Sequence, residues 1–445
     1  MLPAPPGPDS GLLGLALAGA LRRRRLETLQ LLAAEYGDVV GFRVGRQRFA
    51  LLNHPDHVED ILVTRARLFR KGRALERAKR LLGEGLLTSE GAYHLRQRRL
   101  AQPAFHRQRI AGYGETMIAH AGRTAERWQD GAEIDAAAEM NRLTLTIVGE
   151  TLLGTDVASD AGGVRTAVAA VLDAFPITMS PFAPVLERLP LPAMRRYRSA
   201  QATLDRLVYR IIGERRSAGD RGDLLSMLLL SRDEESDDGA GMTDRQLRDE
   251  VMTIFLAGHE TTANALTWTW TLLARYPEVE RALHGELESV LANRPLDSGA
   301  AAHLPYTRRV IAESFRLYPP AWGIGRRAVE DFTIGGYMVA KDTVVLVSQF
   351  LVHRDARYYP DPQRFDPDRW LPEGQVSRPK FAYFPFGGGN RVCIGESFAW
   401  QEAVLVLAAL ARRWRLELLD PVPIGMRPGI TLRPAGCVRM RVRAR

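Results

Sequence analysis

Residues 384–395 read FPFGGGNRVCIG, and the apolar segment IGESFAWQEAVLVLAAL follows the cysteine directly. That apolar segment predicts a helix, so Cys393 stands just before a helix N-terminus, where unpaired N–H groups and the helix dipole favour negative charge. The glycines Gly387 to Gly389 allow another part of the backbone to approach closely. Such a place suits an anionic sulfur that binds a single metal centre. The alternative is a free cysteine buried near a turn.

A longer pattern surrounds this cysteine. Phe386, Gly389, Arg391, Cys393 and Gly395 match F-x-x-G-x-R-x-C-x-G at all five fixed positions. A match at five positions is far more specific than a lone cysteine. The pattern therefore favours the metal-binding interpretation over the buried free thiol.

Composition excludes several classes of protein. The chain has 445 residues, of which 46% are hydrophobic, and this apolar content excludes a disordered or fibrous chain. Its net charge is +9, but basic and acidic residues are interleaved, so we expect no nucleic-acid partner. Two cysteines, Cys393 and Cys437, can build neither a disulfide framework nor a four-cysteine zinc site. A cytoplasmic, reducing location is expected.

The N-terminal segment GLLGLALAGAL, residues 11–21, is the longest early apolar run. A helix that spans a membrane needs about 20 apolar residues, and this run has fewer. A secretory signal would carry its basic cluster before the apolar run, whereas Arg22–Arg25 follow it. We therefore expect no transmembrane anchor. Peripheral contact with a membrane through this segment is the alternative.

Hydrophobic periodicity predicts a mostly α protein with a small β portion (α+β). Residues 1–25 form an extended lead-in, 38–53 a hairpin, and the region from about 55 to 290 is helical. Strands are predicted within 327–350, and a last helix at 394–413. No Gly/Ser linker or repeat divides the chain, so residues 1–445 are expected to form one domain.

The longest predicted helix begins at a capping box, Thr243 with Gln246, and continues to Tyr276 before Pro277. It would be roughly 33 residues, or about 50 Å, long and would cross the whole domain. Its centre reads FLAGHETTANA, and a glycine, a glutamate and two threonines are costly in a buried helix. Such local conflicts are typical of functional positions.

With these two motifs, the sequence resembles the haem-thiolate monooxygenases of the cytochrome P-450 family, bacterial soluble type, over nearly its whole length. The resemblance implies a single cytochrome P-450 fold, with the long central helix crossing over the haem. It implies haem b (iron protoporphyrin IX) as cofactor and Cys393 as the metal ligand, whose thiolate pushes electron density towards the iron. Phe386 and Gly395 would belong to the same cofactor-binding loop.

In the long helix, the resemblance makes Thr261 and Glu260 the catalytic residues. Thr261 would donate a hydrogen bond to dioxygen, and Glu260 would resupply protons through water. Ala257 and Gly258 would lie against the haem and leave room for a small ligand. The alternative is that Thr261 bonds its own helix and Glu260 is a buried salt-bridge partner. His259 is expected to point away from the haem.

Two further sets of residues follow from the resemblance. Glu313 and Arg316, spaced E-x-x-R, would form a cluster with Arg369 that supports the cysteine loop. The haem propionates would be held by four basic residues, namely His94, Arg98, Arg326 and Arg391.

The substrate pocket should be apolar and lined in part by Thr253, Ala257, Ala321, Trp322, Ile324 and Phe175. Segments 70–90 and 172–195 are expected to be mobile lids.

The function implied is a haem-dependent monooxygenase. It would insert one oxygen atom from O₂ into a lipophilic molecule, by hydroxylation or epoxidation of a terpenoid, fatty acid or polyketide-like compound. The chain has no length left for a flavin or iron–sulfur domain, so we expect electrons from a separate ferredoxin and ferredoxin reductase. The alternatives are a peroxide-driven peroxygenase and a non-catalytic haem-thiolate sensor.

Overall fold

The computed structural model describes residues 2–9, 11, 14–154, 161–178, 189, 191–232, 241–292, 294–420 and 422–445. Within these residues the chain is mainly helical. The α-helices are α1 Leu15–Arg23, α2 Arg25–Tyr36, α3 Pro55–Glu59, α4 Arg73–Leu82, α5 Gly91–Ala101, α6 Arg107–Arg127, α7 Ala136–Leu153, α8 Ala161–Thr178, α9 Pro192–Ala218, α10 Leu224–Leu230, α11 Asp244–Leu273, α12 Pro277–Leu291, α13 Pro305–Leu317, α14 Gln349–Val352, α15 Pro372–Gln375 and α16 Glu396–Ala411.

The strands are short and form small sheets. They are β1 Val39–Val44, β2 Gln47–Leu52, β3 Phe69–Lys71, β4 Glu133–Asp135, β5 Ile324–Ala328, β6 Phe332–Ile334, β7 Tyr337–Val339, β8 Val344–Val347, β9 Trp414–Leu418, β10 Met426–Pro428, β11 Leu432–Pro434 and β12 Arg439–Ala444. Short helical turns connect several elements, including a π-helical turn at Asp60–Thr64 and a 3₁₀ turn at Gly389–Arg391.

The chain divides into two compact units, the first made of residues 1–76 with 312–393 and the second of residues 77–311 with 394–445. The first unit is built on a five-stranded sheet of order β1-β2-β8-β5-β3. Strands β1 and β2 form an antiparallel hairpin, and β2 pairs in parallel with β8. Its buried side chains pack in one cluster, in which the rings of Phe69 and Phe332 meet edge to face at 5.0 Å.

The second unit is a helical bundle in which α11 packs against α7 and α16 against α6. Helix α11 is buried on most sides, and its two tryptophans, Trp268 and Trp270, are among the largest fully buried side chains. The Trp268 indole donates to the Leu432 carbonyl at 3.2 Å, which ties α11 to β11. A three-stranded sheet, β4-β12-β9, completes this unit.

The predicted elements agree with this architecture in most places. The hairpin, the long helix with its capping box and the last helix are all present, which confirms the mostly α fold with a small β portion. The extended lead-in needs a correction, because Leu15–Arg23 is helical. The early prolines end at Pro8, and the leucines and alanines that follow are strong helix formers. Among the described residues, no helix has the length and apolar character to cross a bilayer.

The capping box at the start of α11 generates a test. The Thr243 hydroxyl accepts from the Gln246 amide, and the Gln246 side chain accepts from the Thr243 amide at 2.8 Å. Replacement of Thr243 by Ala should lower the free energy of unfolding by about 1 kcal/mol, because it leaves a helix N–H without its partner. Urea unfolding measures this loss. Thr203→Ala, at a half-buried threonine inside α9, is the control and should change stability little.

Candidate active site

Cys393 ends a loop that is held by its own backbone. The Cys393 amide donates to the Phe386 carbonyl at 3.0 Å, and Val392 donates to Gly389 at 3.0 Å. The cysteine itself is exposed, although cysteine is one of the residue types most often buried in proteins. The alternative of a buried structural thiol therefore does not describe Cys393.

The glycine at position 389 is required by a close approach. Its φ is +65°, and a Cβ there would lie 2.1 Å from the Leu62 carbonyl oxygen. No side chain fits at that distance, and the left-handed conformation itself favours glycine. The loop before Cys393 therefore rests directly on the π-helical turn that contains Leu62.

A buried histidine that the sequence reasoning missed fixes the start of this loop. His353 is fully buried, and its Nε2 accepts from the Phe384 amide at 3.0 Å. Burial holds the pKa of His353 well below its usual range, so the ring is neutral and able to accept. No motif in the sequence marked this residue, because it acts through one ring nitrogen on a backbone amide.

The predicted cluster of Glu313 and Arg316 contacts the backbone of the same histidine, His353. Both side chains are fully buried, and they form a bidentate pair with two distances of 2.8 Å. Arg316 also donates to three backbone carbonyls, those of His353, Pro362 and Arg364. The pair therefore connects α13 to the segment 353–364, and His353 carries the connection on to the cysteine loop.

Arg369 takes part in this cluster at longer range. Its Nε lies 3.4 Å from Glu313 Oε1, and its Nη2 donates to the Asp361 carbonyl at 2.9 Å. Glu313 also accepts from the Trp370 indole at 3.0 Å and from the Asp366 amide at 3.1 Å. Trp370 was not predicted, although it follows Arg369 directly in FDPDRW.

Helix α11 is uncovered over one short window. Ala257 is exposed and Thr261 is half-buried, whereas nearly all other residues from Leu247 to Leu273 are buried. Because Ala257 and Thr261 are one turn apart, they share a face. This face can lie against a flat group. His259 is buried on another side, and its Nδ1 lies 2.7 Å from the Phe255 carbonyl.

Gly258 serves a different purpose from the one predicted. A Cβ there would lie 3.3 Å from Val148 Cγ2, so its small size allows α7 to pack closely against α11. The expectation that Gly258 leaves room for a ligand must therefore be corrected, since its missing side chain faces α7.

The two predicted catalytic side chains have protein partners. Thr261 Oγ1 donates to the Ala257 carbonyl at 2.9 Å. Glu260 is almost fully buried, accepts from Thr431 Oγ1 at 2.7 Å and lies 3.5 Å from Arg433 Nε. The structure therefore contains both contacts of the alternative interpretation, the helix-bonded threonine and the salt-bridged glutamate.

The candidate propionate partners fall into two pairs by unit. In the second unit, His94 and Arg98 are one turn apart on α5, and Ser89 Oγ lies 3.3 Å from His94 Nδ1, which orients the buried ring. In the first unit, Arg391 lies in the 3₁₀ turn before Cys393 and Arg326 in β5, and both are half-buried.

The candidate pocket residues differ in their exposure to solvent. Ala321 is exposed, while Trp322 and Ile324 are half-buried, and the Arg25 guanidinium lies 5.7 Å from the Trp322 ring. Thr253 is buried rather than open to a pocket. The prediction for Phe175 falls on a side chain outside the described part of the structure.

A second buried carboxyl was also missed by the sequence reasoning. Glu402, on α16, is fully buried beside Thr262 of α11. Burial raises its pKa to about 8, and the Thr262 hydroxyl offsets this rise only in part. Glu402 is therefore predominantly a neutral acid at pH 7.

These residues fit a haem. An exposed cysteine at the end of a glycine-rich loop offers a thiolate, which is an iron ligand. The window on α11 offers a face without bulky side chains. The basic residues of each unit suit anionic propionates. Each of these features, taken by itself, is one that a haem-thiolate protein needs.

The comparisons with known proteins agree with this class. A family model described as cytochrome P-450 matches residues 5–437. Three similar curated proteins are cyclooctatin synthase (42% identical; 96% of this chain, 94% of that protein) and cyclooctat-9-en-7-ol 5-monooxygenase (39%; 91% and 87%), both from Streptomyces melanosporofaciens, and pentalenene oxygenase from Streptomyces avermitilis (39%; 90% and 89%). A solved structure, the cytochrome P450DA heme domain, superposes with a TM-score of 0.89 at 27% identity, covering 100% of this chain and 98% of that one.

This chain belongs to the cytochrome P-450 family. It is a haem-dependent oxidoreductase of the monooxygenase type.

The buried pair of Glu313 and Arg316 generates a prediction. Arg316→Lys should lower the free energy of unfolding by about 3–5 kcal/mol, because a lysine cannot make the bidentate contact and leaves buried acceptors without donors. Guanidinium unfolding measures the loss. The matched control is Arg142→Lys, since Arg142 pairs with Glu139 at the same spacing but is partly exposed. We expect the control to cost at most about 1 kcal/mol. Equal losses in the two variants would contradict the scaffold role.

Glu402 predicts a pH dependence of stability. Between its ordinary pKa of 4.5 and the folded value of about 8, the folded state holds a proton that the unfolded state has released. The contribution of Glu402 to stability therefore falls as pH rises through this window and levels off above it. Unfolding free energies at about pH 6 and about pH 9 should show a larger fall for the wild type than for Glu402→Gln. The exposed Glu126→Gln should behave as the wild type, and a Glu402→Gln variant with an unchanged slope would contradict the prediction.

Proposed function

We propose that this protein inserts one oxygen atom from O₂ into a terpenoid, with electrons from a separate ferredoxin and ferredoxin reductase. The observation that carries this proposal is the exposed thiol of Cys393, at the end of a loop that glycine, backbone hydrogen bonds and His353 hold in place. When bound, the haem supplies the iron centre at which O₂ is reduced.

The residues of this chain would bind the cofactor and hold its reacting face. Cys393 would be the iron ligand. Its loop needs rigid support, because a small displacement of the sulfur changes the position of the metal. His94, Arg98, Arg326 and Arg391 would neutralise the propionates.

Proton delivery would depend on Thr261 and Glu260. The Thr261 hydroxyl can turn from the Ala257 carbonyl towards the open face of α11, because a hydroxyl both donates and accepts. Glu260 is held through its Oε1 by Thr431 and Arg433, directly before Thr261 in the chain. An acid and an alcohol next to each other support chemistry with O₂ rather than with peroxide, which already carries its protons.

The substrate class is supported by the relatives' names. Two of them are named for cyclooctat-9-en-7-ol and pentalenene, and these relatives cover about nine-tenths of this chain. Of the three lipophilic classes that the sequence allowed, a terpenoid fits these names best. Hydroxylation of a ring carbon is the proposed reaction.

Substrate binding can be tested by optical titration of the haem protein. Pentalenene and cyclooctat-9-en-7-ol should shift the Soret absorption of the haem protein, and lauric acid, a linear fatty acid, should not. Reconstitution with a surrogate ferredoxin, its reductase and NADPH should then give an oxygenated product that carries ¹⁸O from ¹⁸O₂. Turnover with hydrogen peroxide but not with O₂ and the electron donors would overturn the proposed electron route.

The ligand assignment predicts a spectroscopic change. The reduced wild-type protein with carbon monoxide should show the red-shifted Soret band of thiolate ligation, because the anionic sulfur donates charge to the iron. Cys393→Ser should lose this band, whereas Cys437→Ser should keep it. An unchanged spectrum in Cys393→Ser would refute the assignment.

A further inference from the structure

The loop between α4 and α5, residues 83–89, is held to the start of α11 by two buried carboxylates. Asp249 Oδ2 accepts from the Glu84 amide at 2.8 Å, and Glu250 Oε2 accepts from the Leu86 amide at 3.0 Å. Asp249 is 4% exposed and Glu250 is fully buried. Two adjacent acids in a buried helix turn are costly, so a specific role is needed to explain them.

The backbone of the loop approaches α11 so closely that two positions have no room for a side chain. Gly83 has a φ of +63°, and a Cβ there would lie 2.0 Å from Asp249 Oδ1. A Cβ at Gly85 would lie 2.2 Å from Thr253 Oγ1. Within the loop, Thr88 Oγ1 donates to the Gly83 carbonyl at 2.6 Å, which closes the turn. The loop backbone therefore lies directly on α11.

The position of the loop along α11 relates it to the reactive face. Thr253, Ala257 and Thr261 follow one another at intervals of four residues and form one stripe. Thr253 is buried beneath Gly85, whereas Ala257, one turn later, is exposed. The loop thus covers the stripe up to the turn before the open window and bounds the window on that side.

Arg248 orients the Asp249 carboxylate. It donates to Asp249 Oδ1 at 3.0 Å and to Asp205 Oδ1 of α9 at 2.8 Å. Asp249 is therefore an acceptor that Arg248 already orients when it meets the loop. This is the arrangement that makes hydrogen bonds to backbone amides strong.

We infer that Asp249 and Glu250 are positioning residues for the substrate, since they hold loop 83–89 as the wall at one end of the open face of α11. This inference rests on the proposed function. The two carboxylates hold the loop in its position facing the substrate, and they do not themselves touch the reacting atoms. Loss of either carboxylate should loosen the loop and weaken the fit of a bulky ligand, while the cysteine loop keeps its structure.

The test uses the full-length haem protein and two readouts. Hydrogen–deuterium exchange of the segment 83–92 reports the loop, and the Kd of 4-phenylimidazole, an azole that coordinates haem iron, reports the space over the window. Glu250→Leu removes the acceptor for Leu86 and should raise exchange in this segment about tenfold and weaken azole binding severalfold. Glu250→Gln keeps an oxygen acceptor and should stay near the wild type in both readouts.

The control is Asp244→Asn, at the exposed first turn of the same helix, which should change neither readout. If Glu250→Leu fails to fold, Asp249→Ala, which removes the acceptor for Glu84 and one of the acceptors of Arg248, should give the same two changes. Exchange that stays within about twofold of the wild type in the folded variant would overturn the inference. So would faster exchange with an unchanged azole Kd. The carbon monoxide spectrum of each variant tests the thiolate ligand separately, so failure of the proposed function is distinguishable.

Discussion

The fully buried ion pair between Glu313 and Arg316 needs hydrogen-bond partners, and the chain around it in the first unit supplies them. A buried guanidinium is tolerable only when all its donors find acceptors, and Arg316 finds them in one carboxylate and three carbonyls. Glu313 likewise uses its remaining capacity on Trp370 and the Asp366 amide. Because most of these partners are backbone groups, the pair fixes the course of the chain over the coil between 353 and 370.

That fixed coil explains how an irregular loop can present a thiol with precision. The loop before Cys393 is mostly non-repetitive, so regular helix or sheet hydrogen bonds cannot hold it. Its rigidity comes from a neutral buried imidazole at Phe384, from contact with Leu62 and from its own turns. The first two of these supports are a side chain and a glycine acting on backbone, which is why loops of this kind tolerate little change at the supporting positions.

Helix α11 differs from the cysteine loop, because it is held by its own regular hydrogen bonds and its side chains hold other elements. It is a regular helix that carries many buried polar side chains, and several of them contact different neighbouring elements. Asp249 and Glu250 hold the α4–α5 loop, Glu260 meets Thr431 and Arg433, and Thr262 lies beside Glu402. The helix therefore organises its surroundings through polar contacts, and one window is left open between them.

The sequence predicted the parts that repeat or carry a strict spacing. Hydrophobic periodicity located the long helix and the hairpin, and the pattern around Cys393 identified the family, because few residue types satisfy that loop. It could not identify His353, Trp370, Glu402 or the pair Asp249–Glu250, because each acts through contacts between residues far apart in the chain. It also assigned Gly258 to a ligand, since spacing along one helix does not reveal which neighbour a missing side chain faces.

The cysteine loop and the α4–α5 loop are supported in different ways, and this difference bears on how the enzyme could be redesigned for other substrates. Variation at Glu313, Arg316 or His353 would weaken the buried support of the cysteine loop, whatever compound is offered. The α4–α5 loop has the opposite character, because Leu86 and its neighbours are anchored through main-chain amides. Their side chains can be exchanged without cutting the anchors. A combinatorial library confined to those side chains, with the carboxylates and glycines kept, would explore new selectivity at small risk to the scaffold.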